Sequence, residues 1–432
     1  MCVLKNIYIV FKINFLFLYL ISYIYNYTMI TDTSNEIIQT IDKVIKPYIK
    51  MDNIKYSDHT IKMFSLLFNH IAKSREHWNL NKNRLKYSKY TGIPCDISYY
   101  PTRIKKYIQH NIHTYYKINF NIREHNIIVY IGSDKNTDNN AFLQKMIKSI
   151  YIWLFVAYYF SKGECSQTLE IYLSLTNEIK KLPSLKNEHI DRQHVNTAFT
   201  YACKKDNEIH IFRQEEWFKV FIHETFHSLG LDFSKFENTD TNNQIMKLFN
   251  VKNDVRIAET YCEIWAEIIN NMFIVFSNTR WNENQEKWLN TLNTKLVKLM
   301  HYERIFSLFQ CCKVLNYFNI NYTDLINSTN TVSAYKDKTH TLSYYIVKSI
   351  FMFHLDDYMQ ECIKLNGYSL DFNKQKNKYI QNMNTYCNIV KKMYKNENFI
   401  ELLNSVCKIS KNKKMFSKNI IETLRMSVYE VK

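Results

Sequence analysis

The stretch Trp217-Phe-Lys-Val-Phe-Ile-His223-Glu224-Thr-Phe-His227-Ser-Leu-Gly230 places two histidines four residues apart in an apolar run, with a glutamate directly after the first. On a helix of 3.6 residues per turn, positions four apart share a face, so both imidazoles can reach one metal ion. Glu224 sits beside them, offset around the helix. A carboxylate there can take a proton from a water held by the metal and return it to a leaving amine, the general acid/base step of metal-assisted peptide hydrolysis. With 14 histidines in 432 residues and glutamate at about one residue in twenty, chance yields only ~0.02 such matches per chain. The flanks agree with a helix: Glu215 and Glu216 suit its positive end, and Gly230 is a natural terminator.

A catalytic zinc needs a third protein ligand and an open fourth position. Six residues beyond His227 stands Phe233, with Asp232 one position early, so a third ligand on the same short segment is out of register. A downstream helix over 254–276 offers carboxylates instead. Ala258, Tyr261, Cys262, Trp265, Ile268, Ile269 and Met272 form an apolar stripe, and Glu259, Glu263 and Glu267 repeat every four residues beside it. Like charges at that spacing repel by a few tenths of a kcal/mol, roughly, which a metal dication at one end would relieve. A solvated acidic face is the alternative.

His223-Glu224-x-x-His227 followed by Glu259-Thr-Tyr-Cys-Glu263-Ile-Trp-Ala266 resembles the gluzincin group of zinc metallopeptidases, which includes thermolysin-like enzymes and the catalytic domain of anthrax lethal factor. The resemblance implies an α+β zincin-like fold: a small sheet, an active-site helix, a glutamate helix and a helix-rich C-terminal lobe. It implies one Zn2+ per chain held by His223, His227 and Glu259, Glu224 as general base, and Glu263 as the carboxylate that orients a histidine. Glu263 followed by Ala266 and Glu267 fits the same pattern, so the choice between Glu259 and Glu263 as ligand stays open. Upstream, Asn196 and Ala198 resemble the edge strand that pairs with an extended substrate in zincins. An oxyanion stabiliser is expected from a separate segment, with His340, Tyr344 and Tyr345 as candidates. The resemblance covers roughly residues 141–276; the whole chain is also similar to uncharacterised zincin-like proteins of large DNA viruses.

Outward from that core, apolar residues recur at three and four over 36–49 and 60–73, so the sequence predicts a helical N-terminal region over 29–112. A hairpin follows, with strands over 115–120 and 127–131, then a helix over 141–160. Residues 150–160 are apolar nearly all round but too few to span a bilayer, which predicts a buried helix backing a sheet. Strands are expected over 169–176, 195–203 and 208–213. The zincin-like catalytic domain is assigned to 113–330, and a helical C-terminal subdomain to 331–432 after the polar stretch 329–340.

The 57 Lys+Arg outnumber the 40 Asp+Glu by 17, but basic clusters such as 103–106 and 411–414 are short and scattered. Abundant Lys, Asn, Ile, Tyr and Phe with five Gly and four Pro fit an AT-rich coding bias. A nucleic-acid partner is therefore not expected, and a protein or peptide substrate is. The ten cysteines show no Cys-x-x-Cys pair, which predicts reduced, packed thiols in an intracellular protein of the cytoplasm or, if viral, the host cytoplasm or virion. Residues 1–28 form an apolar leader, with 7–27 apolar enough to act as a membrane anchor and Met29 as an alternative start. Two other functions stay in view beside a metallopeptidase: a catalytically inactive zincin-fold structural protein, and a basic nucleic-acid-binding or scaffold protein. Oligomeric state has no signature in the sequence.

Overall fold

Six strands make one mixed sheet, and its inner strands form where the sequence alternates or runs apolar over short stretches. The computed structural model describes residues 30–133, 140–161, 163–185, 188–253, 255–327, 333–375 and 378–431. The apolar segment 7–27, the alternative start at Met29, Asp254 and residues 329–332 of the polar stretch lie outside the described residues. The expected hairpin is present as β2 (Thr114–Ile122) and β3 (His125–Ser133), closed by Arg123-Glu124 with Arg123 in the left-handed region. β4 (Thr168–Thr176) and β6 (Asp206–Arg213) follow, parallel to β3 and to each other and buried along most of their length, as central parallel strands must be.

Two strands depart from the sequence expectation. β1 (Lys86–Thr91, Lys-Tyr-Ser-Lys-Tyr-Thr) falls inside the region expected to be helical, yet it pairs antiparallel with β2 from Lys86↔Asn119 to Thr91↔Thr114. It is exposed along its whole length, so it carries no apolar alternation to betray it. β5 is only Ala198–Thr200 rather than 195–203, because Asp191 caps a helical turn over Arg192–Val195 and Cys203 turns the chain left-handed. The sheet order is β1-β2-β3-β4-β6-β5, which leaves β5 as an open edge.

The fold is α+β with a helix-rich majority, as the sequence implies. Among the described residues the α-helices in chain order are α1 (Asp32–Thr40), α2 (Asp58–Asn81), α3 (Thr102–Asn111), α4 (Asn140–Phe160), α5 (Arg192–Val195), α6 (Trp217–Ser228), α7 (Thr239–Leu248), α8 (Ile257–Ser277) and α9 (Gln285–Tyr317), followed by α10 (Tyr322–Asn327), α11 (Lys348–Phe353), α12 (Leu355–Asn366), α13 (Tyr379–Met393), α14 (Glu397–Lys411) and α15 (Lys418–Glu422). α4 backs one face of the sheet: Trp153 is fully buried and its indole N–H donates to Thr225 Oγ1 at 2.6 Å on α6. No helix among the described residues is long and apolar enough to cross a membrane. The opposite face is covered by α3 through Ile104 and Ile108, which pack with Tyr115, Tyr130, Tyr172 and Phe212 in a second, smaller core.

α8 runs through the main core. Every residue from Ile257 to Phe276 is buried except Glu259, so the glutamate repeat is not a solvated acidic face. Two cysteine pairs, Cys165–Cys203 and Cys312–Cys407, are disulfide-bonded, which corrects the expectation of reduced thiols for those residues, while Cys262, Cys311, Cys362 and Cys387 are free and buried as expected and Cys95 is free and half-buried; separations of 38 and 95 residues leave no local spacing signal. The first pair sits beneath the turn that ends α6. Gly230 there has φ +62°, and a Cβ on it would lie 3.1 Å from Cys165 Sγ and 3.2 Å from Cys203 Cβ, so both its conformation and its surroundings favour glycine.

The start of α6 is organised differently from the sequence expectation. Glu216 is a left-handed residue at the helix entry, and its side chain does not cap the helix. The carboxylate instead meets Lys180 Nζ and accepts from the backbone N–H groups of Met426 and Ser427 and from Ser427 Oγ–H. Glu303 on α9 accepts from the N–H of Val428 at 2.8 Å. The final segment of the chain thus threads between α6, α8 and α9, where two buried carboxylates satisfy its backbone donors.

Candidate metal centre

Four-residue spacing on α6 brings His223 and His227 onto one face, as the sequence requires, and α8 crosses that face with Glu259. His223 Nε2 lies 3.1 Å from Glu259 Oε2, His227 Nε2 lies 3.4 Å from the same oxygen, and the two Nε2 atoms are 3.3 Å apart. The three donor atoms therefore form a nearly equilateral triangle. Ligands at the usual zinc distances of about 2.0–2.1 Å on one face of a tetrahedron would stand about 3.3–3.4 Å from one another. This donor set fits zinc in residue type and in spacing.

Behind each imidazole stands a carboxylate. His223 Nδ1 is 3.3 Å from Glu263 Oε2. His227 Nδ1 donates to Asp232 Oδ2 at 2.7 Å, while Ser234 Oγ–H holds the other Asp232 oxygen at 3.1 Å. For His227 that hydrogen bond fixes the tautomer and turns Nε2 toward the shared point; the Glu263 contact to His223 is one of charge, without an aligned hydrogen bond at Nδ1. Glu263 is itself held by Lys219 of α6 and by Lys348 Nζ at 3.0 Å. Lys348 reaches Glu267 as well, and its ammonium also donates to Met426 O at 2.7 Å.

The electrostatics follow from that layout. Burial would push the Glu259 carboxyl up, but the two imidazoles hold it well below the usual range. Burial would likewise raise Glu263, and Lys219, Lys348 and His223 bring it well down. His223 and His227 are lowered by burial yet end above the ordinary imidazole value, His223 through Glu259 and Glu263, His227 through Cys262, Asp232 and Glu259. Glu224, by contrast, is pushed up by burial against the opposing pull of both histidines. A carboxylate with a raised proton affinity is what a general base close to neutral pH requires.

Glu224, His227, Glu259 and Tyr344 line one cleft of about 1090 Å³ that also holds Asn196, Ala198 and His340. Tyr344 Oη donates to Glu259 Oε2 at 2.9 Å, and its ring lies 6.2 Å from that of His223. His340 stands at the cleft wall, its ring 6.2 Å from Tyr344. Tyr345 is not part of the site: the wider π-type turn at Leu342–Val347 sends its side chain into the core, where Oη donates to Leu424 O at 2.6 Å. Ala198 belongs to β5, whose free edge borders the cleft. Asn196 is already engaged, its Oδ1 accepting from Thr339 Oγ1 at 3.2 Å and its carbonyl from Arg213 Nε at 3.0 Å. It ties the 339–341 loop to the strand.

Sequence reasoning missed three members of this arrangement. Asp232 was seen only as a ligand out of register, whereas it supports His227 from behind. Lys219 and Lys348 were not singled out, although a lysine inside an apolar helical run, as in Trp217-Phe-Lys-Val-Phe, signals a buried partner. Comparison with family models, with curated proteins and with solved structures returns no match to this chain.

Proposed function

We propose that this chain is a zinc-dependent metallopeptidase, and that its zinc is held by His223, His227 and Glu259. The observation that carries the reading is the 3.1, 3.3 and 3.4 Å triangle of donors on the floor of a cleft bordered by an open strand edge. Zinc in such a site supplies a Lewis acid that lowers the pKa of its water to about 7.

The chain's own residues divide the remaining work. Glu224 accepts the proton of the attacking water and passes it to the leaving amine. Tyr344 Oη, whose proton goes to Glu259 Oε2 at 2.9 Å here, would turn it to the oxygen of the carbonyl under attack once Glu259 holds zinc. An extended peptide laid along β5 gains backbone hydrogen bonds from its free edge, with side-chain pockets giving selectivity. Glu263 and Asp232 hold the two imidazoles in position.

Glu224→Gln tests this reading. It is expected to keep its zinc, read by elemental analysis, and to lose about 10²–10⁴-fold in the rate of hydrolysis of a quenched-fluorescent peptide library. Full peptidase activity in the purified variant contradicts the assignment. Zinc binding without any hydrolysis in the wild type supports a structural zincin-like role instead.

A further inference from the structure

The ladder between β5 and β6 has a fixed phase. The Phe212 N–H donates to Thr197 O at 3.0 Å, so in the same register Phe199 and His210 also turn their backbone groups toward each other. The N–H and C=O groups of Ala198 and Thr200 therefore point to the open edge, where an extended peptide would meet them. Side chains alternate across the sheet. Ala198 and Thr200 lie on the face of Ile211 and Ile209, which α6 covers. Phe199 lies on the opposite face, its ring stacked on His210 at 4.5 Å.

That opposite face carries the smaller core, which ends at β5. Tyr100 is buried there, its Oη 2.9 Å from His210 Nδ1 and its ring edge-on to Phe199 at 5.9 Å. Its chain neighbour Tyr99 falls outside the core and stays 75% exposed, with its ring 6.4 Å from Phe199. Phe199 is itself half-buried. The anchored Tyr100 thus fixes where Tyr99 stands. The cleft of the metal site continues past the β5 edge to this place, where Tyr99, Pro101 and Phe199 line it. One cleft therefore reaches both faces of the edge strand, with the metal donors on one and an aromatic ledge on the other.

We propose that Tyr99 and Phe199 select an apolar side chain of the peptide substrate, on the face of the sheet opposite the metal. The inference rests on the peptidase reading above, which lays an extended peptide along β5. Whichever way that peptide runs, alternate side chains project to the Phe199 face. The one beside Phe199 meets Tyr99 as well, and cross-strand neighbours on one face interact directly. An apolar side chain there leaves water and extends the smaller core past β5. An Asp carboxylate in its place would lose water against two rings with no partner supplied by them.

Cleavage of a positional library of quenched-fluorescent octapeptides by the full-length protein tests the ledge. The expected result is one position at which Leu, Met or Phe raises kcat/KM about tenfold over Ser or Asp, kept in Tyr99→Phe and cut to about twofold or less in Tyr99→Ser. Preferences at the other positions stay as in the wild type. Tyr99 is exposed, so neither variant is expected to disturb the fold. Hydrolysis without an apolar preference at any position, or with one that Tyr99→Ser leaves intact, overturns the proposal and leaves the peptidase reading standing. A wild type that cuts no peptide overturns that reading instead. The ledge is then decided by fluorescence polarisation with a labelled alternating Ala/Leu hexapeptide and its Ala/Ser counterpart. Tighter binding of the Leu peptide, erased in Tyr99→Ser, supports the ledge; equal binding of the two, or none, overturns it.

Discussion

Glu259 and Glu267 lie on the same face of α8, two repeats of the same four-residue spacing apart, and the molecule treats them in opposite ways. Glu259 is the one residue of the helix interior that opens to the cleft, and its ion-pair partners are two histidines. Glu267 is fully buried beside Lys348, in a cluster with Glu263 and Glu303, and burial pushes its carboxyl well up. Glu263, midway, faces both worlds: His223 on one side, Lys219 and Lys348 on the other. At the inner end the protein supplies its own cations. At the outer end it supplies imidazole nitrogens, the donors of the proposed metal site. Identical residues at identical spacing thus take their roles from what the facing elements bring.

The comparison can be broken most severely at its midpoint. Glu263→Gln leaves Lys219 and Lys348 short of a buried carboxylate, and breaking a buried pair in this way costs about 3–5 kcal/mol, measurable by urea unfolding. A loss below 1 kcal/mol would show that the lysines do not depend on Glu263. At the outer end, Asp232→Asn removes the charge behind His227 and is expected to weaken zinc about 10–100-fold in a competition titration, with little change in fold stability. Unchanged zinc affinity would remove Asp232 from the account.

The inner lysines offer a pH test. Lys348, with carboxylates around it, is raised, whereas Lys313 on α9 contacts the carbonyls of Ile420 and Thr423 and is pushed down by burial to about 7. The unfolded chain keeps the Lys313 proton up to its ordinary value of 10.5, so between about 7 and that value the unfolded state binds more protons. Stability therefore rises with pH across this window, by at most about 1.4 kcal/mol per pH unit, and falls back as pH drops toward 7. Lys313→Met is expected to flatten that slope in urea unfolding at pH 7, 8 and 9; an unaltered slope contradicts it. The smallest effect on zinc belongs to Glu267→Gln. Its carboxyl meets Lys348 and no histidine, so the amide is expected to leave zinc binding unchanged in the competition titration, and loss of zinc would contradict the division of α8 into two ends.

What could be read from the sequence was local. His223, Glu224 and His227 are fixed by one helical turn, the α8 glutamates by their four-residue repeat, and the hairpin and α4 by a change of apolar period. Glu259 and Glu263 remained interchangeable until α6 and α8 were placed against each other. Asp232 reaches His227 only because Gly230 reverses the chain, which no periodicity encodes. Tyr344 and Tyr345 are adjacent and equivalent in sequence; the wide turn that carries them puts one in the cleft and the other in the core. Glu216 and the 426–427 backbone are separated by 210 residues, and their contact is a consequence of the assembled fold.

Zinc per chain in the wild type, Glu259→Gln and Glu263→Gln, measured by elemental analysis after exhaustive dialysis, distinguishes the outer end of α8 from its midpoint. Close to one zinc is expected in the wild type, with loss in Glu259→Gln and retention in folded Glu263→Gln. A well-folded wild type without zinc, or retention in Glu259→Gln with loss in Glu263→Gln, would contradict that expectation.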